Sequence, residues 1–321
     1  MWRYLRAEIY GRLKTQTEYD IDIAFVRPPE HVQGWILDTF CNEIKRHLNV
    51  QTVDVVLDTD TLPCARAYFY PHYFYYRTFR LKFPEIARSR NVVLFTHPHE
   101  KEISDHEFRY LLNSADVVAS MCTMFRDTLI KKGVHKDKIA VVLAGADPVR
   151  FSPHERGQQP VGLCSAYHSR KNPQLILDII SAAPHLNFVL IGKGWETWDH
   201  FDRLSKLPNF EYRNRISYEE MPNFYTSIDV FLSPSLLEGG PMPVLEAMMC
   251  NVVPVATNIG FCPDLITHGE NGFLFEHEKE PHMIIGLIEQ ACKLRTDVRS
   301  TVENLSWQNY SQIMANLLLE R

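Results

Sequence analysis

Two glutamates lie eight positions apart in LLEGGPMPVLEAM, residues 236–248. A Gly-Gly-Pro turn follows the first, Glu238, and an apolar run leads to the second, Glu246. Because the first turn of a helix tolerates proline, Pro241 and Pro243 predict that a helix begins here. Glycines that loosen the backbone beside two carboxylates are unusual in a core helix, and this combination points to a site that performs chemistry.

The residues before and within this turn predict an anion site. The run DVFLSPS (229–235) is typical of a buried strand, and Gly239 and Gly240 follow it in a loop. The N–H groups and the positive dipole end of the next helix would face an anion beside Glu238. Glu246, about two turns into the helix, could accept hydrogen bonds from a pair of vicinal hydroxyls such as those of a ribose. A molecule that combines a diphosphate, a ribose and sugar hydroxyls is a nucleotide-sugar, and we predict that the site binds one.

An ordinary packed helix with Glu246 as a solvated residue remains the alternative to that site. Two glutamates at this spacing are a weak pattern by themselves. The wider sequence has to decide between the two interpretations.

Strand-like and helix-like runs alternate along the chain, which predicts an α/β fold with parallel sheets. The first half opens with the strand IDIAFV (21–26) and the helix GWILDTFCNEIKRHL (34–48). The alternation starts again at VGLCSA (161–166), after a polar linker at 145–160 that is rich in proline and glycine. We therefore predict two parallel-sheet domains with ligands between them, at the C-terminal ends of the strands.

Composition excludes several classes of protein. The 321 residues are 45% hydrophobic, with a formal net charge of −5, so a nucleic-acid partner is not expected. Seven cysteines without a CxxC pair indicate reduced thiols and a cytoplasmic setting. The sequence has no run of about 18 apolar residues, so a transmembrane helix is not expected. The charged N-terminus does not have the pattern of a secretory signal.

Segments along nearly the whole chain after residue 20 resemble the GT-B glycosyltransferases, in particular the retaining glycosyltransferase family 4 (glycosyl transferases group 1). They include SRKNPQLIL, VLIGKG and SYEEMPNFYTSIDVFLSPS, in that order. EGGPMPVLEAMMCNVVPVATNIGFCPDLITHGENGFLF (238–275) is similar to its donor-binding signature. LNSADVVASMCTMFRDTLIKKGVHKDKIAVVLAGADPVRFSP (112–153) is similar to the end of its N-terminal domain, and LSWQNYSQIMANLL (305–318) to its last helix. The resemblance implies two Rossmann-like domains facing each other across a cleft. These would be an acceptor domain at 1–150, a nucleotide-sugar domain at 151–303 and a helix at 304–321 that crosses back.

The resemblance also implies roles for individual residues. Glu238, His97 and Lys171 are expected to be catalytic, without a cofactor or a metal ion. A UDP- or GDP-sugar is expected to contact Glu246, Gly239, Gly240, Pro241, Lys171, Ile216 and Gly34. His97 could instead be structural, or could bind a metal with His99, and Gly34 could be a plain turn.

This chain departs from the family pattern at the phosphate site. The family carries Gly-Arg five residues before the lysine, where this chain has Ser165 and Ala166. Arg170 or His168 could replace the missing arginine. Asn251 stands where the family has a helix-ending glycine, and asparagine can also adopt the left-handed conformation.

Two other motifs offer competing chemistry. The DTD triplet at 58–60 resembles the metal-binding acids of the other glycosyltransferase fold, although acids are common in turns. GKGWET (192–197) follows a strand but lacks the third glycine of a dinucleotide loop.

Transfer of a sugar with retention is the function that the resemblance implies. Lys171 and the loop N–H groups would stabilise the leaving diphosphate. The alternatives are a GT-B-fold epimerase that converts the donor without an acceptor, and an inactive carbohydrate-binding or scaffold subunit.

The acceptor prediction depends on the aromatic stretch ARAYFYPHYFYYRTFRLKF (65–83), which includes Tyr75, Tyr76 and Arg80. Together with a basic amphipathic helix at 2–14, it could dock the enzyme peripherally on the inner face of an anionic membrane. A glycan or lipid-linked acceptor would then be presented there. The alternative is that these rings form part of the core.

Overall fold

The computed structural model describes residues 19–28, 36–97, 103–157 and 160–320. The chain divides into two compact units, one formed by Met1–Ala144 with Trp307–Arg321 and the other by Gly145–Ser306. The sequence places the corresponding boundaries at residues 150 and 303. Within these described residues, each unit contains a parallel sheet of six strands.

In the first unit, strands and helices alternate as the sequence predicts, except that β3 follows β2 with no helix between them. The strands are β1 (Ile21–Arg27), β2 (Thr52–Val56), β3 (Ala65–Tyr70), β4 (Arg90–Phe95), β5 (Val117–Ser120) and β6 (Ile139–Val141). They lie in the order β2-β1-β3-β4-β5-β6. The described helices are α1 (Ile36–Arg46), α2 (Tyr73–Lys82), α3 (Asp105–Asn113) and α4 (Thr123–Lys131).

The second unit repeats the pattern. Its strands are β7 (Val161–Cys164), β8 (Phe188–Ile191), β9 (Phe210–Arg213), β10 (Val230–Ser233), β11 (Val253–Thr257) and β12 (Phe273–Phe275), in the order β12-β11-β10-β7-β8-β9. Its helices are α5 (Pro173–Ala182), α6 (Phe201–Ser205), α7 (Met221–Tyr225), α8 (Met242–Met249), α9 (Cys262–Leu265) and α10 (Pro281–Lys293). In both sheets the order reverses beside the first strand of the unit, which is where ligands bind in open parallel sheets.

The last helix, α11 (Trp307–Leu319), packs in the first unit. The rings of Trp307 and Tyr310 lie 5.7 and 5.5 Å from that of Phe40 on α1. The Ser311 hydroxyl donates to the Glu43 carbonyl at 2.9 Å. The C-terminal segment thus completes the core of the unit in which the chain begins.

The aromatic stretch at 65–83 forms β3 and α2, and most of its rings are buried. Tyr76 is 0% exposed and its hydroxyl lies 3.0 Å from Ser114 Oγ, while Arg80 is 2% exposed. The prediction that Tyr76 and Arg80 belong to an exposed docking surface is therefore wrong, because the central strand and its helix bury these side chains. Tyr75 is only half-buried. The predicted helix at 2–14 lies outside the described residues.

Asn251 lies just after the C-terminal end of α8. Its φ of 66° confirms the predicted left-handed conformation. Its side-chain oxygen accepts a hydrogen bond from the Val298 amide at 2.9 Å.

In the part of the chain that the structure describes, no helix combines the length and the apolar character that crossing a bilayer requires.

Candidate functional site

The loop between β10 and α8 carries the predicted anion site. The helix begins at Met242 after Pro241, and no side chain caps its N-terminus. The Phe261 amide donates to the Gly239 carbonyl at 3.0 Å. Gly260 has φ of +55°, and a Cβ there would lie 2.6 Å from the carbonyl oxygens of Glu238 and Gly239. The loop backbone is therefore held by a neighbouring turn that only glycine fits, a requirement that the sequence analysis missed.

Glu238 is held by two cations. It is 8% exposed, and its Oε1 bonds to the Lys171 ammonium. Arg170 Nη1 donates to Glu238 Oε2 at 3.1 Å and to the Leu237 carbonyl at 2.9 Å. The structure thus brings together Lys171 and Glu238, both predicted as catalytic, and adds Arg170 to them.

The two cations come from a short 3₁₀ turn at Ser169–Lys171, just after β7. His168 Nδ1 accepts from the Arg170 amide at 3.2 Å and caps this turn. The Leu236 amide donates to the Arg170 carbonyl at 2.7 Å and joins the turn to the loop after β10. Of the two candidates for the missing arginine, the His168 ring contacts the Arg170 amide, whereas the Arg170 side chain contacts Glu238.

Glu246 lies on α8 and is 5% exposed. Tyr225 donates its hydroxyl to Oε2 at 2.7 Å, and Tyr218 donates to Oε1 at 3.1 Å. Burial raises the pKa of Glu246, while the bonds from Tyr225 and Tyr218 oppose this effect. The alternative of a solvated glutamate is therefore wrong, because the carboxylate is buried and fixed by two phenols.

Tyr218 connects Glu246 to the surface. Its side chain is 47% exposed, and the Arg150 guanidinium lies 4.8 Å from the centre of its ring. Phe151 packs edge-on against the same ring, with the two centres 6.0 Å apart. Ile216, predicted to contact the donor, is half-buried in the loop that leads to Tyr218. Sequence reasoning missed both tyrosines, although their aromatic hydroxyls stand in the SYEEMPNFY motif that supported the resemblance.

The remaining predicted residues belong to the first unit in sequence. His97 follows β4 in the first unit, is half-buried and has Nδ1 3.1 Å from Thr96 Oγ1. The His72 ring lies 6.3 Å from the His97 ring. Gly34 and His99 lie outside the described residues.

Metal ligands do not cluster within the described ranges, where no group of three or more His, Cys, Asp or Glu side chains could hold an ion. In the DTD triplet, Asp60 is paired with Lys82 at 2.8 Å. The Lys82 ammonium also bonds to the carbonyls of Asp58 and Thr59. The triplet is thus a turn tied to α2 by one lysine.

Residues 149–306, which contain Glu238, Glu246 and Lys171, match the family model named "Glycosyl transferases group 1". An uncharacterized glycosyltransferase of Methanocaldococcus jannaschii is 25% identical over 172 residues, which are 53% of this chain and 48% of that protein. O-antigen chain mannosyltransferase B of Escherichia coli is 25% identical over 126 residues, 36% of this chain and 32% of that protein. The matched regions thus span half or less of these relatives.

The crystal structure of Anabaena HepE in complex with UDP has the same fold. The two structures agree with a TM-score of 0.75 over 93% of this chain and 99% of that chain, at 14% sequence identity. A complex of that protein with UDP-glucose is similar, with a TM-score of 0.73 at the same coverage and identity. The chain is a GT-B-fold protein, and its residues 149–306 match the glycosyl transferases group 1 family.

Proposed function

We propose that this chain is a glycosyltransferase that moves a sugar from a UDP- or GDP-sugar to a hydroxyl of a glycan, a lipid-linked acceptor or a small molecule. The observation that carries the proposal is the arrangement of Lys171, Glu238 and Glu246 at the strand ends of the second unit. Lys171 and Glu238 are in direct contact, and Glu246 lies about one turn into the helix that follows the same loop. The family match over these residues supports the same assignment.

Each residue has a distinct role in this proposal. Glu246 accepts the ribose hydroxyls, Glu238 holds hydroxyls of the donor sugar, and Gly239, Gly240 and Pro241 bring the backbone close to the phosphates. Lys171, the backbone N–H groups near Gly239 and Gly240, and the positive end of the α8 dipole stabilise the negative charge of the leaving diphosphate. His97 contacts the donor sugar, with Ile216 and Gly34 as further donor contacts.

We propose that transfer proceeds with retention and without a metal ion. The bond between the anomeric carbon and the diphosphate oxygen breaks, and a bond from that carbon to the acceptor oxygen forms on the same face. The acceptor proton passes to the leaving diphosphate. Because Glu246 is assigned to the ribose, the two glutamates do not form the acid–nucleophile pair of a retaining glycosidase.

A screen of UDP- and GDP-sugars tests this function. A bound donor should raise the melting temperature of the full chain, and a suitable acceptor should then cause release of nucleoside diphosphate. The anomeric configuration of the product, measured by NMR, tests retention. Conversion of the donor without an acceptor would favour the epimerase, and binding without any release would favour the inactive subunit.

We propose a cytoplasmic location with peripheral contact to the inner face of a membrane. This proposal now depends on residues 2–14, since Tyr76 and Arg80 are buried. Flotation of the full chain with anionic liposomes tests it. A chain lacking residues 2–14 serves as the control, and equal flotation of both would contradict the proposal.

A further inference from the structure

Two cations share one carboxylate beside α8. Arg170 Nη1 lies 3.1 Å from Glu238 Oε2, and the Lys171 ammonium bonds to Oε1. The side chain of Glu238 is 10% exposed and that of Lys171 17%, whereas that of Arg170 is 42% exposed. Two positive charges and one negative charge leave a net charge of +1. Glu238 thus receives the charge-assisted bonds that such a site would offer to an external oxyanion.

The backbone that carries these three groups is tied down on both sides. The Leu236 amide donates to the Arg170 carbonyl at 2.7 Å, and the Phe261 amide donates to the Gly239 carbonyl at 3.0 Å. Gly260 lies against the carbonyls of Glu238 and Gly239. Glu238 can therefore leave the two cations by rotation of its side chain while the loop stays in place.

Arg170 supplies the second cation in a chain that has Ala166 where the family pattern has arginine. His168 does not fill this role in the structure, because its Nδ1 accepts from the Arg170 amide. Arg170 is adjacent to Lys171 and contacts the same carboxylate, so an anion that displaced Glu238 would meet both cations at once.

Given the proposed function, we propose that Arg170 and Lys171 together bind the donor's diphosphate, and that Glu238 is an internal anion that occupies this site until the diphosphate displaces it. An incoming anion has to compete with Glu238 for the cations. A diphosphate, which carries more charge than a monovalent anion, competes better. Glu238 thereby selects for diphosphates as well as holding the sugar.

Titration calorimetry with inorganic diphosphate tests the competition. Glu238→Gln keeps the shape of the side chain and removes its negative charge. We expect the full-length variant to bind inorganic diphosphate about tenfold more tightly than the unaltered protein, since one charged bond no longer has to be broken. Equal or weaker binding would overturn the proposal. Glu211→Gln, which removes a carboxylate from the exposed Arg213–Glu211 pair of the same unit, is the matched control and should bind like the unaltered protein.

Arg170→Gln tests whether Arg170 itself contacts the anion. We expect this change to weaken diphosphate binding about tenfold in Glu238→Gln. The loss should be smaller in the unaltered protein, because Arg170→Gln also removes one of the bonds by which Glu238 competes with the diphosphate. If Arg170→Gln causes no loss of diphosphate affinity in the Glu238→Gln background, then Arg170 only positions Glu238. This result would overturn the assignment of Arg170 to the diphosphate site. Arg213→Gln is the control. If Glu238→Gln does not fold, Glu238→Ala replaces it in both titrations, and unchanged diphosphate binding on adding Arg170→Gln to that variant would refute the two-cation site.

The same titrations separate this inference from the function on which it depends. A protein that binds neither nucleoside diphosphates nor inorganic diphosphate would contradict the proposed function. A protein that binds both, with no gain in Glu238→Gln, would contradict only the role of Glu238 as an internal anion.

Discussion

The Tyr225 hydroxyl lies 2.7 Å from Glu246 Oε2, and both side chains are buried in the second unit. Tyr218 donates to the other oxygen, Oε1, at 3.1 Å. Burial raises the pKa of Glu246, and these two bonds limit the rise. The carboxylate therefore has a fixed orientation, as a group that recognises a pair of hydroxyls requires.

The stability of the protein should depend on pH through Glu246. Because its pKa in the folded protein lies above the ordinary value of 4.5, the folded state favours the protonated acid. The associated stabilisation is complete below the ordinary pKa and is lost as the pH rises through the raised one. Glu246→Gln is neutral throughout, so its free energy of unfolding should rise relative to the unaltered protein across this window. Urea denaturation at several pH values measures the difference, and a constant difference would contradict the raised pKa.

Tyr76 and Tyr75 should respond very differently to truncation. Tyr76 is fully buried and Tyr75 is half-buried on the same helix. We expect Tyr76→Ser to lower the free energy of unfolding by about 3–5 kcal/mol, as for other large-to-small core changes. Tyr75→Ser is the matched control, and its free energy of unfolding should fall by much less. Equal losses in urea denaturation would contradict the assignment of Tyr76 to the core.

Asn251 provides a test of backbone strain. Both Asn251→Gly and Asn251→Ala remove the bond from the Val298 amide, but only alanine is strained at φ of 66°. Asn251→Ala should therefore be less stable than Asn251→Gly by about 1–2 kcal/mol. Thermal unfolding of the two variants measures this difference. An alanine variant as stable as the glycine variant would show that the left-handed conformation is not required.

The sequence predicts most of the fold because the strands and helices have clear local patterns. The strand β3 is not predicted from the sequence. Its aromatic residues are buried on both faces of the sheet, so β3 lacks the alternation of a half-exposed strand. The edge strand β9 is FEYR, in which two of four residues are charged and no side chain is fully buried, and β12 has three residues. Neither segment has the apolar pattern of a buried strand.

At the site, local sequence predicts the proline-initiated helix α8, which begins at Met242 between Glu238 and Glu246. The contact of Arg170 with Glu238 joins residues 68 positions apart. The tyrosines that hold Glu246 lie 21 and 28 positions before it. Such contacts depend on how loops from different strands meet, and spacing along the chain carries no information about that.

Removal of divalent metal ions should leave most of the transfer activity. In the proposed mechanism Lys171, Arg170 and the start of α8 supply the positive charge at the diphosphate. We therefore expect the initial rate of nucleoside diphosphate release to be nearly unchanged after treatment with EDTA. Abolition of activity by EDTA, with recovery on addition of Mn²⁺ or Mg²⁺, would contradict this mechanism.

Binding of a nucleoside diphosphate, compared with inorganic diphosphate, tests the central claim most directly. Glu246 is assigned to the ribose and Lys171 to the phosphates, so the two ligands should distinguish the two residues. Titration calorimetry with UDP and GDP should show about a tenfold to 150-fold loss in Glu246→Gln, the value expected for one charge-assisted hydrogen bond. The same variant should bind inorganic diphosphate with unchanged affinity. Lys171→Ala should weaken the binding of both the nucleoside diphosphate and inorganic diphosphate. Unchanged nucleotide affinity in Glu246→Gln, or an equal loss for inorganic diphosphate, would contradict the assignment of Glu246 to the ribose.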